Sequence, residues 1–173
     1  MWALQLLLFA VLLVMALQDF KHRAIYAWLF LVLFGVLGTM KAMEESWIAM
    51  VNDLGYNAAF LGLQILLLSI YFSLKERKWV NIFSTYFGLG DLLFLFSLTA
   101  YLSFLHYVFF YVISLICCIL ASLLISIFSK DFKHMIPLAG MQAIVFTLGI
   151  GFSLLDPKII LTSDLGLINF FGL

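Results

Sequence analysis

Charge is scarce in this chain. Nine lysines and arginines and nine aspartates and glutamates are spread over 173 residues, while two thirds of the chain is hydrophobic and the mean hydropathy is +1.19. A soluble domain carries about a quarter charged residues, so this chain cannot clothe a water-facing exterior, and lipid is its expected solvent. The formal net charge is zero and no basic stripe interleaves with aromatics, which excludes nucleic acid as a partner. Cysteine is scarcer still: Cys117 and Cys118 stand side by side in an apolar run. Helical neighbours point about 100° apart and no second pair completes a zinc site, so both read as packing residues. His22 and His134 lack the His-x-x-x-His or Glu-x-x-His spacing of a metal centre and read as interfacial. No phosphate-binding glycine loop with a lysine follows a strand, and serine, threonine and cysteine nucleophiles lack a base at the right depth. No metal and no cofactor are expected. No proline- or serine-rich linker divides the chain, so 1–173 reads as a single domain. No basic residue precedes the first apolar run, which argues for a retained span rather than a cleaved signal peptide.

What the chain does have is long apolar runs. A bilayer core takes about 20 residues as helix, and runs at 2–18, 24–40, 57–74, 90–104, 106–128 and 136–155 predict an all-α, polytopic membrane protein of about six transmembrane helices. Residues 92–129 hold no charge apart from His106; that is too long for one helix, and a tight hairpin broken near 103–106 is expected. Lys21 and Arg23 follow the first run, Lys75, Arg77 and Lys78 the third, Lys130 and Lys133 the fifth. The other loops hold only Lys41 and Lys158 against Glu44, Glu45, Asp53, Asp156 and Asp164. The positive-inside rule then sets the first group in the cytoplasm of a multi-pass protein with both termini outside.

This orientation brings Asp19, at the end of the first run, and Asp91, at the start of the fourth, to one depth on one face. Asp91 alone would suit a helix N-cap, and Asp19 alone an ordinary interfacial acid beside Lys21, His22 and Arg23. Gly88 and Gly90 favour a functional reading, because glycine lowers helix propensity yet permits unusual backbone angles and close approach of another chain. Asp131 rivals Asp19: the tetrapeptide DFKH at 19–22 recurs at 131–134, and composition does not choose between them.

The sequence GLGD at 88–91 resembles the G-x-G-D signature of intramembrane aspartyl proteases. Within that class the chain most resembles the type IV prepilin peptidases and archaeal preflagellin peptidases. DFKHRAI at 19–25 is similar to the family's first motif, and Ile136-Pro137 after a basic loop is similar to the segment opening its last span. The resemblance implies that Asp19 and Asp91, rather than Asp131, form a catalytic pair, with Gly88, Gly90, Ile136 and Pro137 as motif positions along the substrate's approach. It implies a metal-independent aspartyl endopeptidase of a prokaryotic cytoplasmic membrane. The implied partner is a pilin-like precursor whose short basic leader is cut after a glycine, at the cytoplasmic end of an apolar helix. The chain departs from the family at Tyr26, where proline is usual, at Leu93, where lysine is usual, and in reading IPLAG at 136–140. These departures bear on activity and substrate class. It has no paired cysteines of an added cytoplasmic domain, so methyl transfer is not expected. Three alternatives stand beside this one. The presenilin branch also has GLGD, though Gln18-Asp19 and Pro137-Leu138-Ala139 fit it less well. A degenerate homologue acting as a membrane adaptor would use Asp91 only as a cap. A small transporter would need polar or broken helices near the midplane, and the runs hold no charge there.

Overall fold

The computed structural model describes residues 1–79, 88–128, 138–155 and 160–164, the side chains of 125–128 apart. These residues form six helices: α1 (Trp2–His22), α2 (Ala27–Glu44), α3 (Trp47–Glu76), α4 (Leu89–Leu98), α5 (Phe104–Phe128) and α6 (Leu138–Leu155). All but α4 are long and apolar enough to cross a membrane. The chain is an all-α protein with the helices of a polytopic membrane protein.

The largest differences from the sequence expectation lie at α3 and α4. Helix α3 starts at Trp47 rather than near 57, because Ser46 caps it, its side chain accepting the Ala49 N–H at 3.1 Å; a capped start carries the helix through the polar Asn52 and Asp53. Helix α4 has 10 residues, about 15 Å of helix, and stops at Leu98 instead of 104. The hairpin break therefore falls at 99–103, ahead of the expected 103–106. Hydroxyls crowd this end: Ser97 donates to the Leu93 carbonyl at 2.8 Å and Thr99 to that of Phe96 at 2.6 Å. Such local bonds offer the backbone an alternative to further helix.

Helix α1 packs along α6 and beside α2, while α2 also packs on α4 and α3, and α5 closes against α6. The buried face of each helix follows a three- to four-residue spacing. On α1 it runs Leu8, Leu12, Met15, Asp19; on α2, Leu29, Leu33, Leu37, Met40 with Lys41; on α6, Ala139, Ala143, Phe146, Ile150 with Gln142. The opposite faces are equally apolar because they meet lipid, so hydropathy alone does not separate the two sides. Helix α3 is the least enclosed, with only Asn57 and Leu61 buried. Asn57 Nδ2 donates to the carbonyls of Thr99 at 3.2 Å and Leu102 at 2.8 Å, and the Phe60 ring meets Phe104, Tyr107 and Tyr111 edge-on.

A polar cluster closes one end of the bundle. Lys41, fully buried, donates to Asp53 Oδ2 and to the Thr162 carbonyl at 2.6 Å, with Glu45 at 3.8 Å. Ser103 donates its N–H to the Leu161 carbonyl, and Asp164 accepts the Leu105 N–H and pairs with His106. Segment 160–164 is thus strapped across this end. His106 lies here, away from the aspartates at the opposite end.

Candidate functional site

Helical register delivers both aspartates to the bundle interior. Asp19 falls one turn beyond Met15 and Ala16 on the buried face of α1, and is itself only 8% exposed. The helix ends just after it: Arg23 takes a left-handed conformation (φ 52°) and donates its N–H to the Asp19 carbonyl at 2.9 Å. Asp91 lies in the first turn of α4, one turn before the buried Phe94 and Leu95. It does not cap its own helix, whose start at Gly88 has no side-chain capping bond.

Both carboxylates instead reach the start of α6. Asp19 Oδ2 accepts the Gly140 N–H at 2.6 Å, and the Asp91 carboxylate accepts the N–H of Ala139. The first amides of a helix have no intrahelical acceptor and carry the positive end of its dipole, so adjacent N–H groups hold one acid each. The two acids, 72 positions apart in sequence, are near enough for their charges to repel. Among the described residues no lysine or arginine reaches ion-pair distance of either; Arg23 acts on Asp19 only at longer range.

The glycines at 88 and 90 do not take the unusual backbone angles that the sequence suggested. Gly88 has an ordinary extended backbone (φ −70°, ψ 130°). What it supplies is space, since a Cβ there would sit 2.7 Å from Asp91 Oδ2. Gly90 lies in the first turn of α4 without a positive φ; a Cβ there would meet only Phe30 Cζ, at 3.9 Å. Gly140, not singled out from the sequence, is the tightest partner of Asp19: an added Cβ would lie 3.0 Å from the Asp19 Cβ and 3.1 Å from its Oδ2.

Ile136 and Pro137 lie outside the described residues, as do Asp131 and His134; Leu138, the next residue, opens α6. Tyr26, just before α2, is exposed and donates its N–H to Gln18 Oε1 at 3.3 Å, and Leu93 is exposed on α4. Cys118 is buried, close enough to Asp91 to feel its charge. The backbone amides of Ala139 and Gly140 had no side-chain signature, and only the glycine in IPLAG could have pointed to them.

Two adjacent carboxyl groups held by amides can share a proton, polarise a water and donate a hydrogen bond to a carbonyl oxygen. No family model matches this chain, and neither a curated protein nor a solved structure matches it.

Proposed function

We propose that the protein is a membrane aspartyl endopeptidase that removes the basic leader of a pilin-like precursor. One observation carries the reading: Asp19 and Asp91, from different helices, meet at neighbouring amides of α6. With a single proton between them, one carboxylate takes a proton from water while the other donates a hydrogen bond to the scissile carbonyl. The water oxygen adds to the carbonyl carbon, the carbon–nitrogen bond then breaks, and the proton passes to the leaving amine. The basic residues following α1 and α3 support a cytoplasmic placement of this end with both termini outside, and the motif resemblance supports the cytoplasmic membrane of a prokaryote. The substrate's apolar helix would lie in the bilayer and present its junction to the acid pair at the membrane surface.

A second reading follows from the same hydrogen bonds. Two carboxylates at a helix start stabilise that helix, and a degenerate homologue acting as an adaptor would need them for nothing else. Co-expression of a pilin-like precursor with the wild type, Asp19→Asn or Asp91→Asn, with the processed form read by gel shift, separates the two. The peptidase reading expects processing by the wild type and a loss of about 10²-fold or more in either variant. Processing retained in either variant removes that acid from the chemistry and supports the capping role.

A further inference from the structure

Gln142 is fully buried, yet neither its Nε2 nor its Oε1 has a hydrogen-bond partner. A carboxamide offers two N–H donors and an acceptor, and leaving such a group dry and unpaired is costly. Asn57, equally buried, shows the usual solution: its Nδ2 is spent on two backbone carbonyls, and only Oδ1 is left over. Among the described buried side-chain amides Gln142 alone has both ends unused.

Its place in the fold suggests why. Gln142 follows Ala139, which holds Asp91, by three residues, and Gly140, which holds Asp19, by two. It shares the buried face of α6 with Ala139, Ala143 and Phe146, about 4.5 Å along the axis from Ala139. Helical side chains lean toward the N-terminus, so the Gln142 side chain leans along α6 toward the end that holds Asp19 and Asp91. A group that matches an unused donor beside an unused acceptor is a peptide unit, which offers one C=O and one N–H.

We infer that Gln142 is a positioning residue for substrate, its carboxamide pairing with a backbone peptide group of the bound chain next to the scissile bond. The inference rests on the peptidase reading above and names the part of the substrate held at that site: main chain rather than side chain. Such a contact fixes the register of an extended segment against the two carboxyls without selecting its sequence.

The test uses a synthetic peptide with a short basic leader, a glycine junction and an apolar helix, added to the detergent-solubilised full chain. Binding is measured in the Asp91→Asn background, where turnover is blocked, and cleavage with both aspartates present. Gln142→Met is expected to weaken binding by about ten- to a hundredfold, and to raise KM more than it lowers kcat. Its melting temperature should equal or exceed that of the wild type, because an orphan buried amide has been removed. Gln142→Asn should recover part of the affinity. Unchanged binding by Gln142→Met overturns the assignment, and so does a lower melting temperature with binding falling in step. Wild-type binding without cleavage, still weakened by Gln142→Met, would sink the peptidase chemistry and leave the positioning role standing. Neither binding nor cleavage by the wild type would overturn both.

Discussion

At one end of this bundle a buried cation meets two carboxylates and a carbonyl; at the other, two carboxylates meet each other and two backbone amides. The Lys41 end is balanced. Opposite charges face one another, Asn57 and Ser103 bridge backbone segments nearby, and the Tyr101 hydroxyl donates to Glu44 at 3.4 Å. The Asp19 end gathers like charges without a close cation among the described residues, and Gln142 lies close along α6 with its amide unspent. Interactions of the first kind leave each charge compensated, and a fold loses stability when one partner is taken away. The second kind works against stability, and such exceptions concentrate where a molecule acts on something else.

The comparison can be broken at either end, and the largest effect is expected at the lysine. Lys41→Met removes the cation but leaves Asp53 and Glu45 behind, and should cost about 3–5 kcal/mol in detergent unfolding. A loss below about 1 kcal/mol would mean that this end is not balanced by the ion pairs. Next comes Asn57→Leu, which strands the carbonyls of Thr99 and Leu102 and should cost about 1–3 kcal/mol by the same measurement. Gly140→Ala forces a methyl group against Asp19. It should lower stability by about 1–2 kcal/mol, with a disproportionate fall in precursor cleavage, whereas Gly149→Ala, where a Cβ meets nothing within 4 Å, should leave cleavage unchanged. The smallest effect on stability is expected from Asp19→Asn, which keeps an acceptor for the Gly140 N–H while removing one of two like charges. Its melting should move by less than about 1 kcal/mol equivalent. A large loss there would make Asp19 a structural anchor like Lys41 and erase the contrast between the ends.

Much of the fold was legible because membrane spans are written as long apolar runs, and five of them became long helices. The fourth was overread, since nothing in LFLFSLTAYLSF marks where α4 stops; its end depends on hydroxyls folding back onto carbonyls. Asp19 and Asp91 could be set at one depth from loop charge, though only the motif resemblance chose Asp19 over Asp131. Their common support could not be foreseen, because any residue but proline supplies a backbone N–H. Lys41 was equally hidden. A lysine beside Glu44 and Glu45 reads as loop, and the buried stripe that carries it inward is masked by a helix apolar on every side.

Both ends are also closed by very distant partners: Lys41 by Thr162, and Asp19 by Gly140, each 121 positions further along. A membrane chain is delivered from the ribosome one helix at a time. Until α6 arrives, Asp19 has no amide to rest on, and until segment 160–164 arrives, Lys41 lacks its carbonyl, though Asp53 is already at hand. Assembly is therefore timed by the tail of the chain. A nascent protein holding α1 to α5 would carry both aspartates and four of the five long apolar helices, but not the helix start that brings them together.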